Sequence, residues 1–148
     1  MSQPCAVQVV VDCSSPHTLA DWWAETLGWE VEHQDEAFIR SMIEQGFATD
    51  ADTVVHRGSL VWATATAIRV GSEAGAGQPR MLFQLVPEPK TVKNRIHLDV
   101  RPPDGQDLAD LHRRLVERGA VEIGGGQQGP HRWITYADLE GNEFCLDA

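Results

Sequence analysis

The sequence predicts an α+β domain built from two related halves, and three observations predict it. A stretch near the start, VVVDCSSPHTLADWWAETLGWEVE, has a counterpart near the end, IHLDVRPPDGQDLADLHRRLVERGAVEI. In both, an apolar strand runs through an aspartate (Asp12, Asp99) and a proline-bearing turn into a helix that carries Leu-Ala-Asp and closes on a glycine (Gly28, Gly119). Matching positions lie 87, 89 and 91 residues apart, so small insertions separate two otherwise similar β-α-β units. A period this long, seen twice, excludes a solenoid of short repeats. Two related halves imply a pseudo-twofold axis, and half-sheets meeting across it form a concave site.

The elements follow in order. Residues 5–12 alternate, with Val7, Val9 and Val11 on one face and Gln8 and Asp12 on the other, as in a half-buried strand. Ser15 suits a helix N-cap, Pro16 its first position and Gly28 its left-handed C-terminal site. Leu19, Trp23 and Leu27 form the buried face of that helix, and 29–34 read as a strand. Residues 35–57 have no counterpart in the second half. There Phe38, Ile39, Met42 and Ile43 predict a short amphipathic helix ending near Gly46, followed by a polar stretch from Thr49 to Thr53. Strand pattern returns over 59–70. Gly71 to Gln78 is a Gly/Ala-rich, flexible connection, and 80–86 is a strand stopped by Pro87 and Pro89. The segment to Lys93 links the halves. The second half has a strand over 94–100, a turn through Pro102, Pro103 and Asp104, and a helix with Leu108, Leu111 and Leu115 on one side. Strands near 120–123, 132–137 and 142–147 complete it. Asp138 to Asn142 is a tight hairpin with Gly141 at the position needing positive φ.

Composition narrows the function classes. The 148 residues, 42% hydrophobic and 23% charged, suit one soluble globular domain. A net charge of -10 opposes nucleic-acid backbones and anionic membrane surfaces. No window reaches the roughly 20 apolar residues of a membrane-spanning helix, and MSQPCAVQVVVD has no signal-peptide pattern. Cys5, Cys13 and Cys145 are odd in number and lack C-x-x-C spacing, so reduced thiols and a cytoplasmic location are expected.

Strand parity carries the chemistry. Val7/Val9/Val11, Met81/Phe83/Leu85, Ile96/Leu98/Val100 and Phe144/Leu146 form apolar faces for helices to cover. Their opposite faces carry Gln8 and Asp12, Gln84, Arg95/His97/Asp99 and Glu143/Cys145/Asp147. Polar groups facing plain solvent are common on any one strand. Four strands presenting Gln, His, Arg and Glu point to a shared polar cup, suited to a divalent metal or to a polar substrate without one.

The motifs VDCSSPHTLADWWAETLGWEV, PRMLFQLVPEPKTVKNRIHLDVRP and DLEGNEFCL resemble the vicinal oxygen chelate superfamily, in particular its glyoxalase-like subgroup. That superfamily includes glyoxalase I, extradiol dioxygenases and the bleomycin-resistance proteins. The resemblance implies one domain over 1–148 with two tandem βαβββ modules, 5–90 (with 35–57 as an insertion) and 94–148. It implies eight strands curving around a central cup, helices outside, and a homodimer. Metal-dependent relatives carry ligands at positions that correspond here to Gln8, Gln84, Arg95 and Cys145. Gln8 fits, whereas Gln84 replaces a Glu, Arg95 a His and Cys145 a Glu. His97 and Glu143 each lie two residues away on the same face, so a divalent metal, if bound, is expected on Gln8, His97 and Glu143. In a metal-free pocket Arg95 meets a carboxylate or carbonyl, and His97 or Glu143 acts as acid or base.

The substrate is expected to lie against Arg95, Gln84, Asp12, Trp62 and Trp133, the tryptophans supplying apolar wall. Trp22, Trp23 and Trp29 are expected under the sheet, and His17 and His112 facing solvent. Asp50 and Asp52 before His56 read as helix-capping groups, and Gly124 to Gly126 as a flexible turn. The insertion is either a lid over the cup or a packing element. Two function classes result. One is a glyoxalase-like lyase or isomerase acting on a small oxygenated metabolite. The other is a non-catalytic protein of the bleomycin-resistance type that sequesters a small molecule, a cationic aromatic guest being favoured by the acidic charge and the tryptophans.

Overall fold

The structure, a computed structural model, describes residues 5–71 and 79–148. Of the connection expected over 71–78, only Gly71 lies within them. The chain divides into two compact units, the first ending at Pro89 and the second beginning at Lys90.

The first unit holds β1 (Val9–Cys13), α1 (Pro16–Leu27), β2 (Glu30–Val31), α2 (Glu36–Glu44), a 3-10 turn (Asp50–Asp52), β3 (Thr53–His56), β4 (Ser59–Trp62), β5 (Ala65–Arg69) and β6 (Arg80–Leu85). Its sheet runs β1-β6-β5-β2, with β1 and β6 parallel and the other pairs antiparallel. The second unit holds β7 (Leu98–Val100), α3 (Leu108–Glu117), β8 (Val121–Gln128), β9 (His131–Ala137) and β10 (Glu143–Asp147). Its sheet runs β7-β10-β9-β8, with β7 and β10 parallel and the rest antiparallel. Each unit thus pairs its first strand with its last, and the duplication visible in the sequence is a duplication of sheet topology.

Local chemistry explains the shared helix. Pro16 opens α1 and needs no amide partner there, and Gly28 closes it at φ 67, its N–H bonded to the carbonyl of Ala24. Leu19, Ala20 and Trp23 are buried where α1 packs on β5 and β6. Beneath them lie Ile68, Met81 and Phe83. In the second unit α3 opens on Asp107, whose carboxylate accepts from the amides of Ala109 and Asp110. Leu115, Tyr136, Phe144 and Leu146 are buried there. Tyr136 and Phe144 are register partners on β9 and β10 with rings stacked 5.6 Å apart.

Several expectations change. The first strand begins at Val9, leaving Val7 90% exposed, and Cys13 continues the covered face instead. The strand expected over 94–100 begins only at Leu98, and Ile96 is exposed. The strand expected over 59–70 divides in two. β4 pairs with β3 as a hairpin through Arg57 (φ 49) and Gly58 (φ 83), while β5 joins the main sheet. Gly124, Gly125 and Gly126 are not a turn; they lie inside β8, which bulges between Glu122 and Gly124. A Cβ on Gly125 would meet the carbonyl oxygen of Trp133 at 2.6 Å, and one on Gly126 would run into the Trp133 indole. The glycines therefore let Trp133 lie across β8.

His17 is not solvent-facing, and His112 is half-buried. The His17 ring is buried against Trp62, its Nε2 2.8 Å from that residue's carbonyl oxygen, and the His112 Nδ1 lies 2.5 Å from the Tyr136 hydroxyl. His56 lies 2.7 Å from the Asp21 carboxylate on α1, which Arg57 also reaches at 2.9 Å. The Glu36 carboxylate accepts from the amide of Leu60, and the Gln34 side chain from that of Trp62. With Ile39 of α2 buried as well, these bonds fasten the inserted elements to α1 and to β4.

Candidate functional site

The second sheet presents one polar face, and its register assembles a site there. Asp99 on β7, Cys145 on β10 and Thr135 on β9 are successive cross-strand partners, so their side chains form a row on the same side. Asp147 and Trp133 make the next row, and Glu143 lies on β10 two residues before Cys145. His97 precedes β7, its Nδ1 3.1 Å from the Asp99 carboxylate. A cavity of about 640 Å³ opens on this face, lined by His97, Asp99, Thr135, Glu143, Cys145 and Asp147, with the side chains of Trp133 and Ile123 as apolar wall and Lys93, Gly124 and Phe144 completing the lining.

Glu143 is the most strongly set charge. Its Oε2 accepts from the Asn94 amide at 2.9 Å and its Oε1 from the Lys90 ammonium at 3.0 Å. The Asn94 amide, helped by Lys90 and opposed by burial, brings its carboxyl from 4.5 down to about 2. A group depressed in the folded state contributes stability that is present above its unfolded value and lost as pH falls toward its folded one. We therefore expect an acid titration followed by circular dichroism to show wild type losing about 1–2 kcal/mol more than Glu143→Gln between roughly pH 5 and pH 2. Parallel acid curves would show that these bonds do not hold the carboxylate. Nearby, Asp147 accepts from Arg101 at 2.9 Å, and the Cys145 sulfur lies 3.6 Å from the Thr135 hydroxyl.

Of the residues singled out in the sequence, His97, Glu143 and Trp133 line this one cavity. Arg95 is exposed, in the segment before β7. The others belong to the first unit. Asp12 and Gln84 are side by side as register partners on β1 and β6, both exposed. Trp62 ends β4 in the hairpin. Gln8 precedes β1 and its Oε1 accepts from the Arg80 guanidinium at 2.6 Å; Arg80 is also paired to Glu32. Gln8 and Glu143 thus have their oxygens already bonded to cationic or amide donors. A divalent cation held by Gln8, His97 and Glu143 would have to displace these bonds. Asp99, Cys145 and Asp147, which strand parity put on the polar faces, complete the cavity with Thr135, which had not been singled out. Parity along β9 was the signal available for Thr135; Lys90 and Asn94, in the irregular segment before β7, carried none.

A strand, a helix and three further strands, with the first strand parallel to the last and the pattern given twice, define the vicinal oxygen chelate class. The chain belongs to the glyoxalase-like domain family, whose profile matches residues 8–146. A search of curated proteins finds no match. Among solved structures, the chain is similar to the fosfomycin resistance protein FosX from Listeria monocytogenes, with a TM-score of 0.61 at 8% identity over 99% of this chain and 94% of that one. A mutant of that protein complexed with Mn(II) and 1S,2S-dihydroxypropylphosphonic acid gives 0.62 at 9% identity, over 99% and 93%. A glyoxalase family protein from Bacillus cereus gives 0.57 at 13% identity, over 99% and 95%. At these identities the likeness is one of fold. Among the described residues no helix is long and apolar enough to cross a membrane.

Proposed function

We propose that the polar face of the second sheet binds a small oxygenated metabolite and that the chain acts on it as a glyoxalase-like lyase or isomerase. The observation that carries this reading is the 640 Å³ cavity in which an imidazole, three carboxylates, a hydroxyl and a thiol share one face with an indole wall. Its volume lies within the roughly 300–1,000 Å³ of small-molecule sites. The oxygen-rich ligand of the FosX mutant supports the chemical class.

Of the two acid–base groups, His97 suits the task and Glu143 does not. Asp99 engages the His97 Nδ1, which leaves Nε2 to take a proton from a carbon beside a carbonyl and return it to the neighbouring atom. Glu143, depressed to about 2, is a weak base; it is a fixed anion that holds Lys90 and the Asn94 backbone in place. The reading includes a homodimer in the cytoplasm, and light scattering at twice the 16.3 kDa chain mass checks the first part.

A second reading, sequestration without chemistry, is favoured by Trp133 beside three carboxylates, an arrangement that attracts aromatic cations. Tryptophan fluorescence separates the two. The panel consists of 1S,2S-dihydroxypropylphosphonic acid, α-hydroxyketones and quaternary aromatic cations, each added to wild type and to Trp133→Phe. Quenching by the oxygenated compounds, absent in Trp133→Phe and accompanied by turnover of one of them, is expected. Quenching by the cations alone, with every compound recovered unchanged, replaces the enzyme with a sequestering protein.

A further inference from the structure

We infer that Lys93 is the specificity-determining residue of the second-sheet cavity, and that the ligand it takes carries an oxyanion, a carboxylate or a phosphoryl group. Resting on the metabolite reading, this narrows the substrate class to oxygenated acids. Three carboxylates line the cavity, and each already has a partner. Glu143 accepts from the Lys90 ammonium at 3.0 Å, Asp147 accepts from the Arg101 guanidinium at 2.9 Å, and Asp99 stands 3.1 Å from the His97 Nδ1. Lys93 lines the same cavity, and its ammonium donates to the Asn94 carbonyl at 3.1 Å. Among the described residues it has no carboxylate partner.

An ammonium is a compact point charge with three donors. A single neutral carbonyl leaves the remaining donors and the whole charge for a ligand. A charge-assisted hydrogen bond to an oxyanion is also the stronger kind. Arg95, expected from the sequence to meet a carboxylate, is exposed and outside the lining, so that role passes to the cation two residues earlier. The fold holds this cation in place. Glu143 accepts from the Lys90 side chain and from the Asn94 amide, and these two bonds bracket Lys93 in sequence. Glu143 is therefore a positioning residue that fastens the irregular segment, and with it Lys93, to β10. With the oxyanion on Lys93, the oxygenated carbons of the same ligand lie against His97 and Trp133, further groups of the lining. A neutral ligand makes those contacts without the ion pair.

Matched acids and neutral compounds, titrated into the full chain, test it through the fluorescence that is lost in Trp133→Phe. Hydroxypyruvate is compared with hydroxyacetone, and 1S,2S-dihydroxypropylphosphonic acid with the diol that lacks the phosphonate. Wild type is expected to bind at least one acid at least about tenfold more tightly than its neutral match, by a margin that shrinks as salt rises. The acid with the larger margin identifies the oxyanion as carboxylate or phosphoryl. Lys93→Met should remove the margin and leave the neutral affinities unchanged, and Lys93→Arg should keep most of it. Lys93 is exposed, so neither variant endangers the fold. Glu143→Gln should weaken the acids alone and have no further effect in Lys93→Met; losses that persist there overturn its positioning role. Acids and neutral compounds bound alike by wild type, or a margin retained in Lys93→Met, overturns the inference, and turnover of a neutral compound then preserves the metabolite reading. A margin lost in Lys93→Met with every compound recovered unchanged supports Lys93 and ends the catalytic reading. No Trp133-dependent quenching by any of the compounds overturns both.

Discussion

Replacing Phe144 by alanine is expected to destabilise the second unit by about 3–5 kcal/mol. The ring is 1% exposed, stacks on Tyr136 from the neighbouring strand, and sits in the same buried set as Leu115 and Leu146. Little can collapse into the space it leaves, because Tyr136 is fixed at its hydroxyl by His112 and α3 is anchored by Leu115. Phe144 is also part of the cavity wall, between Glu143 and Cys145 in sequence but pointing into the core face. Its loss should therefore loosen the strand that carries both polar neighbours. Urea unfolding followed by near-ultraviolet circular dichroism reads the change as a lower midpoint at unchanged slope. A loss below about 1 kcal/mol would mean that β10 is not the packed centre of the unit.

Replacing His97 by glutamine is expected to reduce turnover of the metabolite by about 10²–10⁴-fold, the range of a positioned acid–base group, with binding retained. The side chain is exposed and Asp99 is its hydrogen-bond partner, so little folding energy depends on it and the effect falls on chemistry. Asp99→Asn should lower turnover less, since Asp99 orients the imidazole through Nδ1 rather than moving the proton. Glu143→Gln should also leave part of the activity, because the carboxylate it replaces is already engaged by Lys90 and Asn94. If Glu143→Gln eliminates turnover while His97→Gln spares it, the acid–base assignment is reversed.

The parts of the fold legible in the sequence were those whose causes are local. Pro16 and Gly28 bound α1, the Phe38 to Ile43 pattern found α2, and Asp138 to Asn142 formed the expected turn, with Asp138 accepting from the amides of Glu140 and Asn142. Strand ends were less legible because they depend on partners elsewhere. The segment before β7 stays out of the sheet, with the Asn94 amide given to Glu143. Ala63 and Thr64 interrupt the strand pattern because Ala63 donates to Asp52 and Thr64 accepts from Leu85, which ties the two residues to different elements. The glycines of β8 looked like a turn since nothing near them in sequence shows the Trp133 ring they accommodate. His17 and His112 found partners 45 and 24 residues away. For the site, period-two parity placed His97, Asp99, Glu143, Cys145 and Asp147 on the polar faces, whereas the bonds that set Glu143's charge state come from an irregular segment without periodicity.

The central claim is that the polar face of the second sheet is the binding site. Nuclear magnetic resonance tests it most directly, with 1S,2S-dihydroxypropylphosphonic acid and then α-hydroxyketones added while the histidine and tryptophan ring signals are followed. Binding at this face predicts saturable shifts at His97 and Trp133, with the signals of His56 and the buried Trp22 unmoved. Saturable shifts at His56 with His97 and Trp133 unmoved would contradict it.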